Sequence, residues 1–315
     1  MEVSRFRVNR YLGYSVFYLC ETLSEISVVA GPEAFDLANN IAKNIGAELV
    51  LAGVRVFSDG ESSIRLGKVK KNCIIVQSTN PPTDTHLMQL LMMAKKCIDD
   101  GVQDISAVIP YLGYTRQDRA FQEGEVVSIE LVAELFQNIG LKHILTVDIH
   151  SQLAMSYFTS LHNISSVRLL AEYASKMKLR KPIAISPDAG GANRAKEFAQ
   201  HLNIDFISLS KARNRVTGEV TTDADIDIDI SRRDAILIDD IISSGGSIIK
   251  ASEVLRSLEV GDIYVMCAHA LLIGNAAQKI KSAGVNEIIS TNSVPSNYSK
   301  IDLSPEIALV LKSRY

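Results

Sequence analysis

The chain has 315 residues, with 33 Lys plus Arg against 36 Asp plus Glu and a net charge of -3, a balance that excludes a protein held to nucleic acid by bulk electrostatics. A hydrophobic fraction of 47% beside 22% charged residues excludes a disordered or collagen-like chain. At roughly 150 residues per domain the length points to two domains, and a chain this long buries enough surface to fold without disulfides or structural metals.

Residues 1–25 read as an N-terminal extension. The stretch from Arg5 through Arg10 into the apolar Tyr11 to Cys20 imitates a secretory leader, but Gly13, Ser15 and Glu21 interrupt it and no small-residue cleavage site follows. Cys20, Cys73, Cys97 and Cys267 lie far apart with no CxxC pair, so neither a zinc site nor a disulfide framework is expected, and a reducing cytoplasm fits. No membrane span is expected either, since the most apolar stretch, Ile263 to Gln278, carries His269, Asn275 and Gln278. The sequons at Asn163 and Asn297 then read as chance matches.

From residue 26 onward, short β-branched runs alternate with helical patterns. The strand candidates are Ile26 to Ala30, Leu49 to Phe57, Cys73 to Ser78, Ile105 to Tyr111, Ile144 to Asp148, Ile183 to Ser186, Phe206 to Ser210, Ala235 to Ile238, Ile263 to Ala268 and Ile288 to Thr291. Their nearly continuous apolar character is that of parallel strands buried on both faces. Between them Glu33 to Ile45, His86 to Ile98, Ile129 to Ile139, Asn193 to Leu202 and Ile248 to Leu258 repeat apolar residues at three- and four-residue spacing. Alternation of this kind predicts an α/β fold. Ten strands exceed one comfortable sheet, so the polar stretch from Ser151 to Ser166 is expected to divide two mainly parallel sheets of about five strands each. The division runs 26–160 and 161–302, with a C-terminal helix at 303–315 returning to the first domain. Met88, Met92 and Met93 read as core filler on a helix, and the alternating Asp223, Asp225, Asp227 and Asp229 as a strand with one wet face.

Chemistry concentrates in a few strand-end segments. Ala235 to Ile238 runs into Asp239-Asp240, a small-residue loop Ser243-Ser244-Gly245-Gly246-Ser247 and then a helix. Inward-turned backbone N–H groups, serine hydroxyls and a helix N-terminus shape such a loop for a phosphate, and two adjacent carboxylates suit a vicinal diol or metal-bound water. Phe57-Ser58-Asp59-Gly60-Glu61 offers a stacking face beside two carboxylates, while Arg116-Gln117-Asp118 adds a cation and an amide. Asp148-Ile149-His150 and Ser186-Pro187-Asp188-Ala189-Gly190-Gly191 sit where an open α/β sheet places its ligands. Lys211 and Arg213, two apart in an extended segment, project the same way toward a polar loop. His86, His143, His162, His201 and His269 have no comparable setting.

Taken together these motifs resemble the ribose-phosphate pyrophosphokinase family, from about Ile26 to Leu311. The resemblance implies two tandem type I phosphoribosyltransferase-like domains and the transfer of a diphosphoryl group from ATP to ribose 5-phosphate. It implies that Ser243, Ser244, Gly245, Gly246 and Ser247 seat the 5-phosphate and that Asp239 and Asp240 take the sugar hydroxyls. It further implies ATP binding by Phe57, Asp59, Glu61, Arg116, Gln117 and Asp118, the first three serving a neighbouring subunit of a homo-oligomer. His150 and Asp188 are implied as Mg²⁺ ligands and Lys211 with Arg213 as catalytic cations on a closing loop.

Departures from the better-known members are also present. Arg119-Ala120-Phe121-Gln122-Glu123-Gly124-Glu125 lacks the basic residues expected at 120 and 124, which bears on control by ADP and phosphate. The Ser243 to Ser247 loop lacks the extra carboxylate of those members, as archaeal-type loops do. Two rival readings share the loop: a phosphoribosyltransferase that consumes phosphoribosyl diphosphate, and a non-catalytic regulatory homologue.

Overall fold

The computed structural model describes residues 25–213, 220–223 and 228–314, with the backbone alone at 210–213 and 220–223. Its frame is a pair of parallel six-stranded sheets that repeat one topology. The first holds β1 (Ile26–Ala30), β2 (Glu48–Leu51), β5 (Asn72–Val76), β6 (Asp104–Ile109), β7 (His143–Val147) and β8 (Leu161–Ile164) in the order β2-β1-β5-β6-β7-β8. The second holds β9 (Ile183–Ser186), β10 (Asp205–Ser208), β13 (Ala235–Ile242), β14 (Ile263–Ala270), β15 (Val285–Thr291) and β16 (Ser299–Ile301) in the order β10-β9-β13-β14-β15-β16. Counted along the chain, both orders are second, first, third, fourth, fifth, sixth. Each sheet therefore reverses direction between its first and third strands, where α/β sheets open a crevice for ligands.

Helices cover both faces of each sheet, which is why the inner strands are apolar without alternation. In the first half α2 (Thr83–Asp99) and α3 (Ser128–Asn138) close one face, burying Leu90, Met93, Ile129 and Phe136 against Ile75 and Ile109. The other face packs α1 (Phe35–Ile45) and the C-terminal α9 (Ser304–Arg314), with Leu37, Ile41, Ile307 and Leu311 against Val28 and Ile74. In the second half α7 (Gly246–Ser257) and α8 (Ala276–Ser282) bury Ile248, Leu255 and Ile280. Opposite them α5 (Val167–Ala174) and α6 (Ala192–Leu202) bury Leu170 and Phe198. The remaining helix, the single turn α4 (Gln152–Met155), follows His150.

Several elements differ from expectation. The run Leu49 to Phe57 splits at Ala52, whose N–H bonds to the Ala30 carbonyl. Beyond it β3 (Gly53–Val56) leaves the sheet and pairs antiparallel with β4 (Ser62–Arg65), so none of its side chains is fully buried. Each sheet has six strands rather than five because β8 and β16 add polar, four- and three-residue edges that carry no apolar run. Pairing of β8 with β7 also carries the first sheet through Ile164, past a division at 160. Met93 is buried as core filler, but Met88 is 49% exposed, since five residues on a helix turn a side chain to another face. Ser210–Arg213 (β11) and Val220–Asp223 (β12) form a second antiparallel ribbon, while Asp225 and Asp227 of the acidic alternation lie outside the described residues. Among the described residues no helix is long and apolar enough to cross a membrane.

The halves meet through directional contacts. His269, 2% exposed on β14, places Nε2 3.0 Å from the Val147 carbonyl of β7 and Nδ1 2.8 Å from the Ser293 hydroxyl. A carbonyl only accepts, so Nε2 carries the proton. Ser78 after β5 donates to the Ser293 carbonyl after β15 at 2.5 Å, and Tyr111 meets the His269 ring edge-on at 5.1 Å.

Candidate active site

The strand β13 delivers Asp239 and Asp240 at its carboxyl end, followed by the Ser243–Ser247 loop and the N-terminus of α7. The loop turns on Gly245, at φ 79°, and a Cβ there would lie 2.7 Å from Ile280 Cδ1, so both conformation and space demand glycine. The resulting cleft of about 460 Å³ is lined by Asp239, Ser243–Ser247, Arg116 and Lys250. Lys250 is the fifth residue of α7. Helical Cα–Cβ bonds tilt toward the N-terminus, which directs such a cation back at the loop it follows. An adjoining cleft of about 460 Å³ is lined by Arg116, Asp118, Arg119, Phe121, His150 and Ser151, so Arg116 borders both.

Asp240 is the electrostatic hub. Its Oδ2 lies 2.8 Å from His150 Nδ1 and 3.4 Å from Arg194, while its Oδ1 accepts from the Ile241 amide at 2.8 Å. Burial opposes its ionisation, yet His150 and Arg194 hold its carboxyl well below the usual carboxylate range. Its neighbour Asp239 is pushed up to about 8, by burial first and then by the Asp240 charge. The pair is thus polarised, with Asp240 favoured as the carboxylate shared between His150 of the first half and Arg194 of the second, and Asp239 favoured in its protonated form. Asp239 can then donate to a sugar hydroxyl and Asp240 accept from one.

His150 is aimed by its own turn. Asp148 adopts a left-handed φ of 41°, and its buried carboxylate accepts the Ser166 backbone N–H at 3.1 Å and the Ser166 hydroxyl. The Asn163 side chain accepts from the Ile149 amide at 2.8 Å. These two anchors come from β8 and the start of α5, and the sequence reading had attached no role to either.

Asp188, at the end of β9, accepts from the Gly190 and Gly191 amides at 3.0 and 3.4 Å and so opens the turn into α6. Arg194 projects from the first turn of that helix toward Asp240. It was missed in the sequence reading, as was Lys250. The available signal was similar for both: a cation within the first five helical residues after a glycine pair at a strand end. Among the described residues no three His, Cys, Asp or Glu side chains converge enough to hold a metal ion alone. A Mg²⁺ ion at His150 and Asp188 would need phosphate and water oxygens to complete its coordination shell, which is the habit of that cation.

The other expected residues are placed differently. Phe57, Asp59 and Glu61 occupy the β3–β4 turn and border neither cleft of their own chain. Asp59 accepts from the Glu61 amide at 3.1 Å, and the Arg55 guanidinium lies 4.6 Å from the centre of the 40% exposed Phe57 ring. The Gln117 side chain donates to Glu125 at 3.1 Å, and the same Glu125 oxygen gathers the Phe121 and Gln122 amides. Asp118 is already engaged, by Arg119 through bonds of 2.9 and 3.0 Å and by the Ser151 hydroxyl. Lys211 and Arg213 lie on β11, two residues apart; their side chains are outside the described residues.

Comparison with known proteins agrees with this geometry. Residues 26–140 match the family model described as the N-terminal domain of ribose phosphate pyrophosphokinase, and residues 220–310 that of the phosphoribosyl synthetase-associated domain. A ribose-phosphate pyrophosphokinase of Methanobrevibacter smithii is 33% identical over 296 residues, covering 90% of this chain and 99% of the relative. One from Methanothermobacter thermautotrophicus is 37% identical over 278 residues, covering 88% and 96%. The crystal structure of phosphoribosylpyrophosphate synthetase from Mycobacterium smegmatis superposes with a TM-score of 0.82 at 25% identity, covering 92% of this chain and 99% of that one. With its two sheets laid out as in that structure, and about a third of its residues shared along nearly the whole length of such relatives, the chain belongs to the ribose-phosphate pyrophosphokinase family.

Proposed function

We propose that the chain transfers the diphosphoryl group of ATP to the 1-hydroxyl of ribose 5-phosphate, giving 5-phosphoribosyl 1-diphosphate and AMP. The 1-oxygen bonds to the β-phosphorus, the bond from that phosphorus to the oxygen bridging to the α-phosphate breaks, AMP leaves with that oxygen, and the hydroxyl proton passes to solvent. The observation that carries the reading is the cleft that joins Asp239, with Asp240 buried directly beside it, to a phosphate-shaped loop under a helix N-terminus. Reactions of this type depend on alignment and charge neutralisation more than on a covalent nucleophile.

In this reading Ser243–Ser247 with Lys250 hold the 5-phosphate, Asp239 and Asp240 hold the 2- and 3-hydroxyls, and Arg194 keeps Asp240 ionised. Arg116, bordering both clefts, spans from the sugar side to the ATP phosphates. His150 and Asp188 would hold Mg²⁺, which supplies charge neutralisation and a template for the phosphate oxygens. Lys211 and Arg213 stabilise the transferring group. Asp118 acts through the loop it anchors. The β3–β4 ribbon, with Phe57 exposed and away from its own clefts, supplies the adenine face to a neighbouring subunit of a homo-oligomer. Cys73, Cys97 and Cys267 are buried free thiols, although the fold brings Cys73 and Cys97, far apart in sequence, into a thiol hydrogen bond of 3.6 Å; free thiols are in keeping with a reducing cytoplasm.

The test is direct. With ATP, ribose 5-phosphate and Mg²⁺, AMP and phosphoribosyl diphosphate appear in equal amounts; absence of AMP refutes the reading.

A further inference from the structure

The first sheet presents two functional side chains on strained turns beyond adjacent strands. After β7, Asp148 takes a left-handed φ of 41° and His150 follows two residues later. After β6, which pairs with β7, Tyr114 takes a φ of 66° and Arg116 follows at the same spacing. A bulky aromatic residue in the left-handed region is strained, and such strain persists only where the surroundings fix it, most often at functional sites. For Asp148 the fixing contact is Ser166. Tyr114 has an equivalent, which the function proposed above leaves unused.

The backbone around Tyr114 is held on both sides. The Gly113 amide donates to Thr79 Oγ1 at 2.7 Å, and a Cβ on Gly113 would lie 2.8 Å from Thr83 Cγ2, so the close approach demands glycine. The hydroxyl of the buried Thr115 donates to the Leu112 carbonyl at 3.3 Å. The Tyr114 carbonyl accepts the Gln117 amide at 3.0 Å, which makes Arg116 the third residue of a tight turn that begins at Tyr114. The Tyr114 hydroxyl donates to the Asp84 carboxylate in the first turn of α2, so the side chain is tied down as well as the backbone. Arg116, by contrast, is exposed, and its guanidinium has no hydrogen-bond or ion-pair partner among the described residues. Its placement at the border of both clefts therefore rests on the turn that carries it.

On the role given above to Arg116, we propose that Tyr114 is a positioning residue for the nucleotide: its bond to Asp84 sets the left-handed turn that aims Arg116 at the ATP phosphates. A hydrogen bond from a hydroxyl to a carboxylate is among the stronger ones, and a cation that must meet phosphate oxygens loses much of its effect when displaced by even an ångström. Without the bond Tyr114 relaxes toward negative φ, and the arginine two residues on moves with the turn. Asp84 thereby acts on a site whose clefts it does not line.

The test is a set of double-mutant cycles, read by calorimetric titration of the full chain with a non-hydrolysable ATP analogue and Mg²⁺, and in parallel by AMP release from ATP and ribose 5-phosphate. Arg116→Ala should weaken the analogue about tenfold or more. Tyr114→Phe and Asp84→Ala should each weaken it about threefold, the two together no more than either alone, and neither should weaken it further in the Arg116→Ala chain. Asp84→Asn, whose amide oxygen still accepts, should bind as the parent does. Parent affinity in both Tyr114→Phe and Asp84→Ala, beside an impaired Arg116→Ala, overturns the proposal. A loss that persists in the Arg116→Ala chain also overturns it, since general slack in the fold would not act through the arginine. An unimpaired Arg116→Ala chain overturns the role of Arg116 and the positioning with it. The expected binding pattern without AMP release from the parent refutes the diphosphoryl transfer and supports the positioning. If Tyr114→Phe does not fold, Asp84→Ala, at an exposed position, decides by the same criteria.

Discussion

Asp118 shows how one carboxylate organises a loop. The Arg119 guanidinium, then the Ser151 hydroxyl, hold its carboxyl down to about 2, below the usual carboxylate range. Because the folded value lies below the unfolded one, its contribution is present above about pH 4 and is lost as the pH falls toward 2. Arg119 is more than half exposed, so that contribution is about 1 kcal/mol or less. Asp118→Asn should lower the urea midpoint at pH 7, and the gap to the parent should narrow by pH 2.5; a gap that stays constant with pH would assign the bond no charge. Lys211 belongs to a different class, a cation expected to meet the diphosphoryl group as charge develops. Lys211→Ala should lower kcat by on the order of 10³-fold with only a few-fold change in the KM for ribose 5-phosphate, whose phosphate is held separately. Arg213→Ala should behave alike, and the double variant should cost less than the product. A folded Lys211→Ala retaining kcat within tenfold of the parent would remove β11 from catalysis.

At the scale of elements, the β3–β4 ribbon is the one whose role depends on a neighbour. It buries no side chain fully in its own chain, and Val56 and Phe57 are 56% and 40% exposed at its tip. Phe57→Ala should raise the KM for ATP while leaving that for ribose 5-phosphate nearly unchanged, since a stacked base is worth about 1 to 3 kcal/mol. If the ribbon serves a neighbouring subunit, mixtures of Phe57→Ala and Lys211→Ala chains should recover activity through hybrid sites. Failure to recover, with subunit exchange shown by mass spectrometry, would place the adenine face within the same chain. The loop at Phe121–Glu125 is equally self-contained. Glu125 collects the Phe121 and Gln122 amides and the Gln117 side chain. With Ala120 and Gly124 where the resemblance led to basic residues, a multiply charged effector loses its strongest partners there. ADP should therefore inhibit only by competition with ATP. Inhibition that persists at saturating ATP would show an effector site built from other cations.

For the whole molecule the decisive contacts are those that hold one half against the other. His269 is neutral in its buried setting, because burial lowers its pKa, and its Nε2–H spans from β14 to the Val147 carbonyl. His269→Ala leaves that carbonyl and the Ser293 hydroxyl short of a partner and opens a gap beside Tyr111. A loss of about 1 to 3 kcal/mol is expected, read as a lower denaturant midpoint. The same change should weaken catalysis, since Val147 leads directly into the turn that aims His150 at Asp240. A variant with lowered stability but an unaltered kcat would show that the two halves tolerate this slack.

Local order along the chain made much of this legible. The apolar run Ala235 to Ile238, the paired aspartates and the small-residue loop are contiguous, so strand, ligand groups and helix start could be read from one segment. The helices near Thr83–Asp99, Ser128–Asn138 and Ala192–Leu202 followed from their apolar spacing, because each buries one stripe. The polar edges β8 and β16 left no such mark, and Arg194 and Lys250 acquire meaning only from the direction in which a side chain near a helix N-terminus leans. By itself the sequence determined two α/β halves, their strand-end loops and the residue types those loops present. Tertiary structure alone decided that His150 meets Asp240 across 90 residues, that Asp118 is spent on Arg119 and Ser151, and that Ser78 meets Ser293 across 215 residues. The reason is physical: periodicity and turn chemistry record what a residue does with its near neighbours, whereas a hydrogen bond between halves depends on how two sheets face each other, and no local pattern encodes that.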